Sequence, residues 1–74
     1  MNADLLEAVS AAVHAAWMEA KAAAGVTTRR LETGEELLVP YEELSERAKD
    51  LDRGSVRAVL DGLERAGYAV VKRA

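Results

Sequence analysis

The side chains best suited to chemistry fall in three places. Trp17 is the only tryptophan, and His14, the only histidine, precedes it by three residues, which makes the two neighbours on a helix surface. An indole that reaches solvent offers a flat apolar face on which a base can stack, a contact worth about 1–3 kcal/mol. An imidazole beside it can meet a phosphate or exchange a proton near neutral pH. Arg53 and Arg57 stand one helical turn apart near the start of a C-terminal helix, where forked guanidinium donors and free backbone N–H groups together suit a phosphate. Arg29 and Arg30 are the densest basic pair and sit in a stretch without regular period; they could grip an anionic ligand or an acidic partner. Tyr41 follows Pro40 and Tyr68 follows Gly67, and each can close a core and offer its hydroxyl to the backbone. Against each stands a plainer role. Trp17 and His14 can be core residues, and the arginines can be surface partners of acids, such as Arg57 with Asp61.

Reaction chemistry finds little support. Nothing places a serine nucleophile or a carboxylate beside His14 in sequence, so no triad logic applies. The five glycines, Gly25, Gly34, Gly54, Gly62 and Gly67, fit no phosphate-loop spacing. Cysteine is absent and one histidine cannot build a multi-histidine site. The expectation is a binding protein rather than an enzyme, with no metal and no cofactor.

These residues must be positioned by few elements. Seventy-four residues make one domain at most, 1–74, and a chain this short buries only about 60% of its unfolded surface. With disulfides and thiolate metal sites excluded, oligomerisation is the remaining way to add stability, so a homodimer or a protein partner is expected. From about Asn2 to Ala24, Leu5, Leu6, Val9, Val13, Ala16, Trp17, Ala20 and Ala24 recur at spacings of three and four, which predicts one long helix. Asn2 or Asp4 can cap it and Gly25 ends it. Val26 to Leu38 reads as an irregular loop. Pro40 sets Val39 extended and opens a first helical turn at Tyr41–Leu44. A short helix follows from Ser45 to Asp50. Asp52 then caps a last helix running to about Ala66, with Val56, Val59, Leu60 and Leu63 on its apolar face. Gly67 stops it, Tyr68–Val71 reads as a short strand, and Lys72-Arg73-Ala74 as a solvated tail. The fold class predicted is α+β, mainly helical: a long N-terminal helix, an irregular loop, a short helix, a C-terminal helix and short strands.

Two segments carry a family likeness. The first is Val13-His14-Ala15-Ala16-Trp17, followed by Lys21 and Gly25. The second is Leu38-Val39-Pro40-Tyr41-Glu42-Glu43-Leu44, then Leu51-Asp52-Arg53, Val56-Arg57 and Gly67-Tyr68. In both the chain resembles the ryanodine-receptor repeat, the RyR domain, as a stand-alone bacterial or phage member, and the likeness runs from about Leu5 to Val71. Val26 stands where family members often carry an aromatic. The resemblance implies an α+β unit with a binding role. In the receptors, paired repeats form a pseudo-twofold unit that can hold an adenine nucleotide, and bacterial relatives have been proposed to sense nucleotides in defence systems.

The leading expectation is therefore a small non-enzymatic sensing module for an anionic small molecule such as a nucleotide, with Trp17, His14, Arg53, Arg57, Tyr41, Arg29 and Arg30 as candidate ligand contacts. Two others compete. Ser45 to Arg73 is similar to a winged-helix DNA binder, whose last helix would enter the major groove. The net charge of −3 argues against nucleic acid. The alanine-rich face of the first helix could instead serve only for assembly. No stretch is apolar over the roughly 20 residues a membrane span needs, and the first residues lack the basic start of an export signal, so a cytoplasmic location is expected.

Overall fold

The computed structural model describes residues 3–73. Two helices, α1 (Ala3–Ala23) and α2 (Glu46–Arg65), flank a looped segment that carries a short 3₁₀ turn at Tyr41–Glu43. Asn2, expected as a helix cap, and Ala74 of the expected tail lie outside the described residues.

α1 is alanine-rich, which suits a helix because alanine loses no side-chain entropy. Its buried stripe is Leu6, Ser10 and His14, one residue per turn. This face is rotated from the one that apolar periodicity picks out, since Val13 is 41% exposed. The reason is chemical. The neighbouring segments offer His14 hydrogen-bond acceptors, and Ser10 is small enough to let a second helix approach. α1 ends in paired reverse bonds: the N–H of Gly25 donates to the carbonyl of Ala22 and the N–H of Val26 to that of Lys21. Gly25 adopts φ 75° to make this turn, the left-handed geometry that favours glycine. α2 ends the same way, with Gly67 N–H to Glu64, Tyr68 N–H to Leu63, and Gly67 at φ 94°. Both glycine stops are thus where the sequence puts them.

The start of α2 differs from expectation. Ser45 is the cap: its hydroxyl accepts from the N–H of Ala48 at 3.1 Å. In a capping box an acid three residues into the helix would return a bond to the cap's own N–H. Here that position is Ala48, and Glu35 does the work from the preceding loop. Its carboxylate accepts from the Ser45 N–H at 2.9 Å and from the Ser45 hydroxyl at 2.6 Å. With the helix launched at Glu46, the short helix expected over Ser45–Asp50 and the separate helix expected from Asp52 are one continuous α2. Asp52 lies inside it and caps nothing.

The α+β class is corrected. Among the described residues there is no strand; the nearest approach is one isolated antiparallel bridge between Arg30 and Glu36. Tyr68–Val71 has strand-forming residue types, but a strand exists only beside another, and no strand neighbours it. The loop expected to be irregular is a tight hairpin-like excursion. Leu37 N–H donates to Arg29 at 2.7 Å and Leu31 N–H to Glu35 at 2.9 Å, and Gly34 turns at φ 92°. Glu36 braces it, accepting from the Thr28 hydroxyl and from the N–H groups of Arg29 (2.8 Å) and Leu38 (3.0 Å). Pro40, at φ −53°, precedes the 3₁₀ turn as expected, and Glu43 N–H donates to its carbonyl.

The core is small. Tyr41, Leu44 and Ala48 form its centre, with Ala11, Leu31, Leu37 and Val39 packed on them. Leu6 and Val56 are buried besides. Val59 and Tyr68, expected to help close the core, are 63% and 68% exposed. No helix among the described residues is long and apolar enough to cross a membrane.

Ser10 of α1 and Ser45, the cap of α2, have opposite signs for stability. Ser10 is fully buried and its hydroxyl has no hydrogen-bond partner. Ser10→Ala should therefore raise the unfolding free energy by about 1 kcal/mol, by removing a desolvated polar group. Ser45→Ala should lower it by about 1 kcal/mol through loss of the cap. Urea midpoints read both; a less stable Ser10→Ala would show that the hydroxyl contributes to the fold.

Candidate functional site

Side chains from three parts of the chain, α1, the 3₁₀ turn and α2, meet at one carboxylate. Arg53 of α2 donates through Nε and Nη2 to the two oxygens of Glu7 on α1, both at 2.7 Å. Its Nη1 turns to Asp50 at 3.0 Å and Glu46 at 3.2 Å. The Tyr41 hydroxyl donates to the same Glu7 at 3.1 Å, and the Lys49 ammonium lies 5.4 Å from the Tyr41 ring centroid. The fork-on-fork geometry of guanidinium and carboxylate gives two parallel charge-assisted bonds. Arg53 holds the Glu7 carboxyl down to about 2 from the ordinary 4.5, with the Tyr41 hydroxyl adding to the effect. Burial, and next the hydrogen bond to Glu7, push the Tyr41 phenol up. Glu7 raises Arg53 in turn. Arg53 is only 13% exposed and its donors face acids of its own chain, so it holds the fold together rather than facing a ligand. The same position keeps it from the groove-reading role that a winged-helix reading would assign to it.

A second junction lies about two turns further along α1. His14 is buried, at 3% exposure. Its Nε2 donates to the Val39 carbonyl at 2.8 Å, and its Nδ1 lies 3.2 Å from the Asp52 carboxylate of α2. Both ring nitrogens are thus engaged within the chain. The Tyr41 ring centroid is 6.2 Å away and that of Trp17 is 5.5 Å, tilted by 37°.

Trp17 is half-buried, and beside it lies an open cavity of about 270 Å³ whose walls include Val13, His14, Leu37, Leu51 and Asp52. The Lys21 ammonium lies 5.9 Å from the indole centroid, a cation–π arrangement. Trp17 thus presents one part of its ring to the core side and another to solvent, with a cation at its edge. Of the sequence-predicted residues, the structure brings His14, Trp17 and Tyr41 together. Arg57 is exposed on α2. Arg29 and Arg30 are exposed on the hairpin, where their guanidiniums donate to the carbonyls of Thr28 (3.1 Å) and Gly34 (3.0 Å). The Arg29 carbonyl accepts from the N–H of Leu37, a residue of the cavity wall.

Sequence reasoning missed the contacts that fix these groups. Glu7 and Arg53 are 46 residues apart, and no local pattern links such a pair. Lys21 was within reach, being four residues after Trp17 and so over it on a helix.

A family model described as the RyR domain matches residues 2–72. No curated protein matches the chain, and no solved structure does.

The Glu7 and Glu36 carboxyls both lie at about 2 in the fold, and Glu35 is also lowered. Glu36 is held first by the Thr28 hydroxyl and Glu35 by the Ser45 hydroxyl. For a carboxyl whose folded value is depressed, the stabilisation is present above its unfolded value and is lost as pH falls through the folded one. Stability should therefore hold from neutral pH to about 4.5 and decline from there towards about 2. Glu7→Gln should be less stable at neutral pH and should show a shallower decline. Urea midpoints across that range are the measurement, and parallel curves for variant and parent would contradict the assignment.

Proposed function

The chain belongs to the RyR domain family, and from that premise we propose that it is a small non-enzymatic binding module whose ligand is an anionic small molecule of nucleotide type, seated against Trp17. The observation that supports this most is the state of that indole. It is half-buried on its α1 side, flanked by the His14 ring at 5.5 Å and the Lys21 ammonium at 5.9 Å, and open to a cavity of about 270 Å³. A flat aromatic face offers stacking to any base, and a cation at its edge offers a partner to a phosphate.

The roles divide by availability. Trp17 stacks the base. His14 does not reach for phosphate, because Val39 and Asp52 occupy both of its nitrogens; it sets the tilt of the indole and closes the cavity floor. Arg53 is committed to Glu7, Glu46 and Asp50, and Tyr41 supports the same carboxylate. The charge for an anion comes from Lys21, with Arg29 on the adjoining hairpin as the second candidate. Asp52 on the cavity wall is kept from opposing the anion by its pairing with His14.

Because Trp17 is the only tryptophan, its fluorescence reports the site directly. Titration with adenine mono-, di- and triphosphates and with NAD should give a saturable change in emission. Lys21→Gln should weaken binding, more for the triphosphate than for the monophosphate. By calorimetry, Trp17→Leu should weaken it about tenfold or more while helicity is kept. A chain whose emission is indifferent to every member of the series at millimolar ligand would sink the reading.

A further inference from the structure

We propose that an apolar trench between α1 and α2 is a second binding site of this chain, for a straight aliphatic chain joined to an anionic head that lies in the Trp17 cavity. The place of the head rests on the ligand reading given above; the place of the aliphatic chain rests on the trench alone.

The first observation is the chemistry of the lining. The trench is a cavity of about 190 Å³ lined by Val9, Val13, Val56, Val59 and Leu60, with Ser55 beside them. Val56 is buried, Val9 and Leu60 are half-buried, and Val13 and Val59 are open to solvent. Ser55 is the one polar residue of the lining, and its hydroxyl is turned to the Leu51 carbonyl at 3.3 Å. The trench therefore offers an occupant no free donor and no charge. An amide, a sugar or a phosphate placed there would lose its bonds to water without replacement. A methylene group loses nothing and gains burial. A partner helix, about 10–12 Å across with its side chains, needs a wider groove than a cavity of this volume between two helices, whereas a single hydrocarbon chain does not.

The second is continuity. Val13 and Ser55 line both the trench and the cavity beside Trp17, so the two openings share a wall. At the other end Leu60 also lines an opening of about 400 Å³ bounded by Leu5, Tyr68 and Val70. From Val13 to Leu5 the rise along α1 is about 12 Å. A chain that enters from the Trp17 cavity can run that distance over aliphatic side chains.

The third is charge, which fixes the direction. Lys21 stands 5.9 Å from the indole centroid and has no ion pair with an acid among the described residues. At the far end Asp61 and Glu64 line the openings, with Arg65 as the one cation beside them. An anionic head is favoured at the Trp17 end and opposed at the other.

The test is titration of the whole chain with butyl, hexyl, octyl and decyl phosphate below their micelle concentrations, followed by Trp17 emission and by calorimetry. A fully buried methylene tightens binding about fourfold. In a trench open along one side about half of that free energy is available, so affinity should rise about twofold per methylene until the trench is full. The heat capacity of binding should grow more negative along the series. Val59→Asp, at a position 63% exposed, should keep helical circular dichroism, leave butyl phosphate nearly unchanged and weaken octyl phosphate about tenfold. Lys21→Gln should weaken every member by a similar factor. Affinity that is flat across the series would overturn the proposal, as would a Val59→Asp chain that keeps the length dependence, or octylamine binding more tightly than octyl phosphate. Nucleotide binding with no length dependence would overturn the trench site and leave the stacking reading standing. Length-dependent binding by a chain indifferent to nucleotides would do the reverse.

Discussion

The fold hangs on one carboxylate. Glu7 receives both arms of Arg53 and the hydroxyl of Tyr41, so α1, the 3₁₀ turn and α2 are fixed to one another at a single point. A core centred on Tyr41, Leu44 and Ala48 is too small to fix the angle between two helices of some twenty residues by packing alone. Directional charge-assisted bonds supply what shape complementarity cannot. His14 repeats the device about two turns of α1 further on, joining the Val39 carbonyl to Asp52. The two junctions lie along the buried stripe of α1, and between them sits Ser10, where small size matters more than chemistry.

This arrangement explains which parts of the structure the sequence made legible. Helix ends are decided locally, so Gly25 and Gly67 mark them correctly, and Pro40 correctly opens a turn at Tyr41. The start of α2 was misplaced because its cap is completed from ten residues upstream, by Glu35, and no window on the helix itself contains that information. Asp52 carries the residue type of a cap, but its carboxylate answers to His14, which is 38 positions away in a different helix. Strand character at Tyr68–Val71 is a statement about residue types, whereas a strand is a statement about neighbours, and the neighbours in this chain are helices.

The candidate site shows the same division. The pairing of His14 with Trp17 was visible because both lie on one helix at a spacing that the helix itself enforces. The roles of the arginines were not visible, because a guanidinium near a helix start looks equally suited to a phosphate and to a carboxylate. Geometry separates the two: Arg53 lies 2.7 Å from Glu7, whereas Lys21, a plainer residue with no motif around it, stands beside the indole. The departure from expectation therefore concerns which cation stands beside Trp17, since Arg53 is committed to acids of its own chain.

The open surfaces of so short a chain have a structural cause. Polar residues, Glu7, Ser10, His14, Asp52 and Arg53, take the positions between the helices that a larger domain would fill with aliphatic side chains. The aliphatic side chains Val9, Val13, Val59 and Leu60 are displaced to the flank, where they line an open trench. A monomer with a fully apolar interface between its helices would be sealed, and would have neither an exposed indole edge nor an uncovered groove. Holding the helices together by ions on one side is what leaves hydrophobic surface available on the other. In this chain the economy of the core and the availability of its surfaces are consequences of the same choice of residues along α1.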